Sequence, residues 1–227
     1  MNRKIQFSLN EWFHCYNRGI DKRIIFNTDE DRERFLQLLY LSNSTQDIQR
    51  SSLNTQLTKD VIAIQRKKQI VSIGAYCLMS NHYHLLLKEI TKGGITHFMR
   101  KLGTAYTMYF NKKYKRTGNL MTKPFRSRHV NDDRYFQRVV DYIHCNPAEL
   151  IEFEWKNGTV HNIDNLEKKL LKYRYSSFPD YNRIKRDTRA IISGDGFDVY
   201  RSRTPREILE DAKEYYAEIK MDDPEVN

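Results

Sequence analysis

Two histidines separated by a single residue are the sharpest chemical feature of this 227-residue sequence. His82 and His84 occur in the run Asn81-His82-Tyr83-His84, which follows a stretch of apolar residues. On a β-strand successive side chains alternate between faces, so both imidazoles would project from one face and Tyr83 from the other. Two imidazoles so arranged can chelate a divalent metal, but two histidines hydrogen-bonded within a sheet would show the same spacing. The spacing alone leaves both interpretations open.

A second chemical feature is the segment from Val140 to Pro147, which contains a tyrosine and an asparagine four residues apart. On a helix Tyr142 and Asn146 share one face, and Arg138 extends that stripe by another turn. A phenol, with a pKa of about 10, is a poor nucleophile unless a base or a metal assists it. Asn146 could add a carboxamide oxygen to a two-histidine site. Since the chain has 15 tyrosines, simple packing is the alternative role for Tyr142.

Basic residues are concentrated between residues 100 and 128, a range without Asp or Glu in a chain of net charge +10. The cations in this range are Arg100, Lys101, Lys112, Lys113, Lys115, Arg116, Lys123, Arg126 and Arg128. Tyrosines and phenylalanines lie among them. Cations can bind phosphates and rings can stack on unpaired bases, so this pattern suits single-stranded nucleic acid. A solvated helix face above ordinary core aromatics is the alternative.

The C-terminal region has the opposite charge. Residues 205–227 include eight acidic and three basic residues. The run Thr204-Pro205-Arg206-Glu207 predicts the start of a helix, with Thr as the cap, Pro in the first turn and Glu closing the capping box. One hypothesis is that this acidic helix folds over the basic surface and competes with DNA. The alternative is a solvated amphipathic helix.

Composition excludes several classes of protein. Hydrophobic residues make up only 39% of the chain, which argues against long buried helices. Aromatic residues make up 12%, which is enough to build a core and argues against disorder. No apolar run approaches the ~20 residues that a membrane-spanning helix needs, and the first residues lack the apolar region of a secretory signal. Cys15, Cys77 and Cys145 form no CxxC pair, which fits a reduced, cytoplasmic protein without disulfides.

Hydrophobic periodicity predicts the elements that must position the candidate residues. Strands are predicted at Trp12–Tyr16, Ile70–Met79, His82–Lys88 and Phe125–Val130. The first helix is predicted to begin at Thr28, with Asp31 closing a capping box. A second helix is predicted over residues 95–115, and a third from Asp132 or Asp133 to a stop at Pro147. A further helix is predicted over Leu166–Lys172. Residues 43–60 are polar and aperiodic, which is typical of a mobile insertion, and a basic helix is predicted to follow and end near Lys68.

The predicted order β-α-β-β-α-β-α indicates an α+β fold. The elements before the last helix match the ferredoxin-like, split βαβ plan, an antiparallel sheet with helices on one face. The last helix is an addition to that plan, and it carries Tyr142. In this plan the first and third strands are central, so the strand with the histidine pair would lie in the middle of the sheet. Trp12, His14 and Tyr16 would share one side of the first strand.

Taken together, the two motifs resemble those of the HUH single-tyrosine transposases of bacterial insertion sequences, most closely the branch associated with repetitive extragenic palindromes (REP). The matching segments read AYCLMSNHYHLLL and VVDYIHCNPAEL. The likeness extends to FHCYNRGI near the N-terminus, to the segment from Tyr114 to Arg128 and to YRYSSFPDY at 173–181, so it covers most of residues 10–181. Two positions depart from the family pattern: Tyr83 replaces a usually aliphatic residue, and Ser80 replaces a usual proline.

The resemblance implies a metal-dependent nuclease and strand transferase. His82 and His84 would bind a divalent metal, Mg²⁺ or Mn²⁺, and Asn146 would occupy the third ligand position. Tyr142 would be the nucleophile that displaces a 3′-oxygen, leaving a 5′-phosphotyrosine and a free 3′-OH. The basic residues between 100 and 128 would hold single-stranded or hairpin DNA.

The resemblance also implies a domain organisation and a cellular setting. Residues 1–150 would form the catalytic domain, residues 151–203 an extension packed on it, and residues 204–227 the acidic helix. The protein would be a cytoplasmic DNA transposition and recombination enzyme, associated with the nucleoid when bound to DNA, and either a monomer or a homodimer. Two rival functions remain: a domesticated, non-catalytic hairpin DNA-binding protein, and a metal-dependent phosphodiesterase that uses water.

Overall fold

The computed structural model describes residues 6–47, 50, 57–157, 159–201 and 203–222. Its strands are β1 (Trp12–Arg18), β2 (Val71–Leu78), β3 (His82–Glu89) and β4 (Arg126–Val130). Its helices are α1 (Asp29–Ser42), α2 (Thr58–Ile62), α3 (Gly94–Lys113), α4 (Asp133–Cys145), α5 (Ile163–Lys172), α6 (Phe178–Tyr181), α7 (Gly194–Val199) and α8 (Pro205–Asp222). No helix in the described part of the chain is long and apolar enough to cross a membrane.

The strands form one antiparallel sheet in the order β2-β3-β1-β4. This order, with β1 and β3 in the centre, is that of the split βαβ plan. The predicted α+β fold is therefore confirmed, and the histidine pair begins a central strand.

Helices cover both faces of the sheet. On one face α1 and α3 bury a cluster that includes Tyr83, Leu85 and Leu87 of β3. On the other face α4 buries Leu86 and Ala75, and α8 packs on α4. The alternation of β3 side chains thus separates an apolar face against α1 and α3 from the face that carries the histidines.

Local capping fixes where the principal helices begin. Thr28 and Asp31 form the predicted reciprocal box at the start of α1. At the start of α4, Asp132 is the cap, and its carboxylate accepts a hydrogen bond from the Tyr135 N–H at 2.7 Å. Thr204 and Glu207 form the same kind of box before α8, as predicted.

The helix that carries the tyrosine, α4, ends at Cys145, so the predicted stop at Pro147 is confirmed. A proline disfavours the α region for the residue before it. Asn146 nevertheless keeps helical backbone angles (φ −50°, ψ −43°), and the chain continues as a 3₁₀ turn over Asn146–Leu150. The tighter turn tolerates the missing N–H of Pro147, and the Asn146 Nδ2 donates to the Tyr142 carbonyl at 2.8 Å.

The region after α1 differs from its prediction. Asn43 is buried, and its Oδ1 accepts hydrogen bonds from the N–H groups of Ile70 and Val71 at 3.0 and 3.1 Å. The start of the predicted mobile insertion is therefore tied to the sheet. The helix predicted to end near Lys68 ends at Ile62. Residues 48, 49 and 51–56 of the insertion, like residues 223–227 of the acidic segment, lie outside the described residues.

Residues 173–177 run along the outer edge of β2. The Leu78 N–H donates to the Tyr175 carbonyl and the Ser177 N–H to the Tyr76 carbonyl, both at 2.9 Å. The Ser177 hydroxyl in turn accepts a hydrogen bond from the Tyr76 N–H at 2.9 Å. Residues 173–177 are therefore hydrogen-bonded to the sheet along the edge of β2.

Candidate active site

The sheet register places both candidate histidines on the face covered by α4. His84 lies opposite Tyr16 and His82 opposite Arg18 on β1. The two imidazole centroids are 5.1 Å apart. His82 and His84 therefore lie on the same face of β3, as their spacing predicts.

The structure brings Tyr142 and Asn146 to this histidine pair. The Tyr142 ring centroid lies 5.3 Å from that of His84, with the rings nearly perpendicular. Asn146, one turn later, lies close enough to His82 and Tyr142 for its side chain to influence the pKa of each. A phenol on a late helix and two imidazoles on a central strand therefore share one buried space.

Four polar atoms in this space are buried, and no other described group forms a hydrogen bond with them. They are His82 Nε2, His84 Nε2, Tyr142 Oη and Asn146 Oδ1. A buried polar atom without a partner is costly, so such a cluster is one that a bound ion, water or ligand would stabilise. Two imidazole nitrogens and an amide oxygen fit a borderline divalent ion such as Mn²⁺ and leave positions for phosphate oxygens or water. Among the described residues no three His, Cys, Asp or Glu side chains form a ready metal cluster, so this mixed set depends on the amide.

The Nδ1 atoms of both histidines, by contrast, are engaged. His82 Nδ1 lies 2.7 Å from Asn81 Oδ1, and His84 Nδ1 lies 2.9 Å from His14 Nε2. The other ring nitrogen of His14 lies 2.8 Å from the Tyr215 hydroxyl on α8. Each candidate ligand is thus held by one nitrogen and has the other nitrogen unpaired.

Burial keeps the histidines and the tyrosine of the site uncharged near neutral pH. Burial lowers the pKa of His82 to about 4 and that of His14 to about 3, and it lowers the pKa of His84 well below the ordinary value. Nearby cations, Lys156 for His82 and Arg128 for His14, act in the same direction. Neutral imidazole is the form that coordinates metals. Burial also raises the pKa of the Tyr142 phenol above its ordinary value.

Helix α8 closes the site. The Tyr215 ring centroid lies 5.1 Å from that of Tyr142, and the Tyr216 ring is stacked on Tyr142 at 6.4 Å. Lys156 lies 4.7 Å above the Tyr216 ring. Tyr142 is 0% exposed and His84 1% exposed. DNA therefore cannot reach the phenol in this arrangement.

Acidic side chains of α8 pair with arginines beside the site. Glu218 lies 3.6 Å from Arg128 and 4.0 Å from Arg138, and Glu214 lies 3.0 Å from Arg138. Arg128 belongs to the basic range for which nucleic-acid contacts are predicted. The acidic helix thus packs over the site and contacts part of the basic surface, and it is not solvated on all sides.

The predicted DNA-binding residues divide between the two sides of the sheet. Arg126 and Arg128 lie opposite Tyr16 and His14 in the sheet, so they share the face of the histidine pair. The loop that carries Lys123 lies beside the end of β1, where the Thr122 N–H donates to the Arg18 carbonyl at 3.0 Å. Arg126 and Arg128 therefore share the sheet face of Tyr142, and Lys123 lies in a loop beside the end of β1.

The remaining basic residues lie on α3, across the sheet from Tyr142, or just after it. Lys113 pairs with Asp31 at 2.7 Å and Glu30 at 2.9 Å, and Lys101 pairs with Asp47 at 2.8 Å. Arg116 donates to the side chain of Asn111. The exposed members are Arg100, Lys112 and Lys115.

Sequence reasoning missed the residues that hold the site together, above all His14 and Tyr215. It placed His14 on one side of the first strand but assigned it no role. The available signal was the shared side of Trp12, His14 and Tyr16, which the register turns toward α4. Nothing local in the acidic helix indicated that Tyr215 would bond to a residue 201 positions earlier.

Comparison with known proteins gives two matches. Residues 23–146 match the family described as IS200-like transposases, which is more than half of the chain. Among solved structures, the fold is similar to that of a REP-associated tyrosine transposase bound to a REP hairpin, with a TM-score of 0.50 and 13% sequence identity. The alignment covers 83% of this chain and 90% of that chain. The comparison with curated proteins found no match.

Proposed function

This chain belongs to the family of IS200-like transposases, and from that premise we propose that it cleaves and rejoins single-stranded or hairpin DNA through Tyr142. The observation that carries the proposal is the convergence of four buried, unpaired polar atoms from Tyr142, His82, His84 and Asn146. The relative of similar fold was solved bound to a REP hairpin, which supports hairpin DNA as the substrate.

His82, His84 and Asn146 would hold a divalent cation, Mg²⁺ or Mn²⁺. Such an ion, when bound, neutralises negative charge on the scissile phosphate and favours nucleophilic attack on it. The chain holds the ligands ready for this role, because their Nδ1 or Nδ2 atoms are bonded while Nε2 and Oδ1 are unpaired. Rigid placement before the ligand arrives lowers the entropic cost of binding.

Tyr142 would attack the scissile phosphorus. The bond from Oη to phosphorus forms, the bond from phosphorus to the 3′-oxygen breaks, and the released oxygen takes up a proton to become a 3′-OH. The phenol proton must leave during this step, and burial raises the pKa of Tyr142, so the closed site disfavours the reactive phenolate. Since one phosphodiester replaces another, a free 3′-OH can reverse the step on a second strand without an external energy source.

Access to Tyr142 requires α8 to move. Tyr215 and Tyr216 cover the phenol, and Glu218 occupies the side of Arg128 that a phosphate could contact. The closed helix would therefore compete with DNA through both shape and charge. In this proposal the acidic segment keeps the transferase inactive until DNA displaces it, and Lys123, Arg126 and Arg128 then contact the phosphates.

Incubation with labelled hairpin DNA and Mn²⁺, followed by a denaturing gel, tests this function. The wild-type protein should give a covalent protein–DNA band, and Tyr142→Phe should abolish that band while hairpin binding stays nearly intact. Tyr200→Phe is the matched control, since Tyr200 bonds to Asp141 of α4 and its ring packs on His144 and Tyr181. It should retain the adduct.

The same gel separates the rival functions. Free cleaved DNA without a covalent band would indicate a phosphodiesterase that uses water, and Tyr142 would then be incidental. Binding without any cleavage would indicate a domesticated hairpin-binding protein. An undiminished adduct in Tyr142→Phe would place the nucleophile elsewhere.

A further inference from the structure

The two candidate metal ligands are held in the same way, by a partner at Nδ1. For His82 the partner is the side chain of Asn81, its neighbour in sequence. For His84 the partner is His14, which lies on the adjacent strand β1. In both cases Nε2 is buried and unpaired among the described residues. Because both histidines are arranged in this way, the contacts at Nδ1 orient each ring so that its Nε2 remains free for a ligand.

The contact between His14 and His84 can hold its proton in two ways. If His84 Nδ1 carries the proton and donates to His14 Nε2, then His84 Nε2 has a free lone pair. If His14 Nε2 carries it instead, His84 Nε2 must be protonated and cannot bind a cation. The Tyr215 hydroxyl, 2.8 Å from His14 Nδ1, can accept a hydrogen bond from the Nδ1–H of that ring, and with the proton on Nδ1 the Nε2 of His14 is an acceptor.

We propose that His14 is a positioning residue that accepts the Nδ1–H of His84 and thereby aims the Nε2 lone pair of His84 at the metal position. The inference rests on the proposed function, because it needs His84 to be a ligand. His14 itself is not placed to be a ligand, since both of its ring nitrogens are already bonded, one to His84 and one to Tyr215. Its effect is exerted through His84 alone.

Partners of ligating histidines typically affect metal affinity by about 10- to 100-fold. His14→Phe keeps a flat ring of similar size but removes the acceptor, so it should weaken Mn²⁺ binding by a factor in that range. His14→Gln places an amide oxygen near the position of Nε2 and should restore affinity to within a few fold of wild type. This rescue distinguishes the accepting atom from the volume of the side chain.

The test is a titration of the full-length protein with Mn²⁺ in the absence of DNA, followed by electron paramagnetic resonance of the free ion. His144→Phe is the matched control: His144 is another buried histidine, it bonds to Ser177 at 2.8 Å, and it packs on Phe178 and Tyr181 away from the site. It should bind Mn²⁺ as wild type does. Thermal melting and hairpin binding in EDTA report on folding separately.

A second measurement requires no substitution. Nitrogen-15 NMR of the metal-free protein reports which ring nitrogen of His84 carries the proton. A proton on Nδ1 with a bare Nε2 is expected, and a proton on Nε2 would overturn the role of His14.

The outcomes separate this inference from the function on which it rests. If wild type binds Mn²⁺ and His14→Phe binds it equally well, His14 has no positioning role while the metal site stands. If wild type does not bind Mn²⁺, or His84→Ala binds it as wild type does, the metal site of the proposed function is wrong, and the role of His14 is overturned with it.

Discussion

Reversing the charge of Glu218 is expected to loosen α8 from the site. The carboxylate of Glu218 lies between two arginines, 3.6 Å from Arg128 and 4.0 Å from Arg138. Arg128 sits on β4 and Arg138 on α4, so Glu218 connects α8 to both elements beside Tyr142. In Glu218→Lys both attractions are lost and both become repulsions.

The free energy by which this substitution destabilises the closed position of α8 follows from how exposed these side chains are. Glu218 is 39% exposed, Arg128 24% and Arg138 22%, so water screens both pairs, and each contributes about 0.5 kcal/mol. Losing both costs about 1 kcal/mol, and repulsion of similar size adds about 1 kcal/mol. A total of about 2 kcal/mol corresponds to a roughly 30-fold increase in the population of the open form of α8.

Hydrogen exchange of the amides in residues 208–219 measures this opening directly. Their exchange should accelerate by roughly 30-fold in Glu218→Lys at constant pH and temperature, as worked out from the screened pairs. Glu210→Lys is the matched control, because it makes the same charge change at an exposed position of the same helix. It should leave exchange nearly unchanged.

The functional readout is the rate of covalent adduct formation with labelled hairpin DNA. If displacement of α8 precedes attack, Glu218→Lys should form the adduct faster than Glu210→Lys. Equal exchange in the two variants would refute the idea that these ion pairs hold α8 in place. Faster exchange without a faster adduct would show that α8 does not limit access to Tyr142.

Other predictions concern protonation, DNA contacts and the third ligand. Burial lowers the pKa of His82 to about 4 and of His14 to about 3, whereas the unfolded chain protonates from about pH 6.5. As the pH falls from 7 to 5.5, protonation of each of these histidines in the unfolded chain should therefore lower the free energy of unfolding by about 1 kcal/mol. Urea denaturation at both pH values measures this, and equal stability would contradict it. Arg126→Ala should weaken hairpin binding and its salt dependence more than Lys112→Ala does, measured by fluorescence anisotropy at several salt concentrations; equal losses would refute the division between sheet faces. Asn146→Ala should weaken Mn²⁺ binding, measured by the titration that is followed by electron paramagnetic resonance. Unchanged affinity would remove Asn146 from the ligand set.

The sheet could be predicted from the sequence because its signals are local. The alternation around the histidine pair and the apolar run before it define two adjacent strands, and the element order then places the second of them centrally. The structure has this order, β2-β3-β1-β4. Helix starts at Thr28 and Asp132 were also predictable, since a capping side chain acts within one turn.

What could not be predicted depends on contacts between distant parts of the chain. Tyr215 reaches His14 across 201 residues, and no periodicity within either segment encodes that contact. The basic range from 100 to 128 is continuous in sequence, but α3 packs on one face of the sheet, whereas Arg126 and Arg128 of β4 share the other face with the histidine pair. Proximity along the chain therefore overstated how much of this charge lies near Tyr142.

The hydrogen bonds between β2 and residues 173–177 bear on self-association. The outermost strand of a sheet exposes a row of backbone groups that can template pairing with another molecule. Here the N–H and carbonyl groups of Tyr76 and Leu78 on that edge already form hydrogen bonds within the chain. Two copies of the protein are thus prevented from merging their sheets through β2, and any growth of a continuous intermolecular sheet has to start elsewhere.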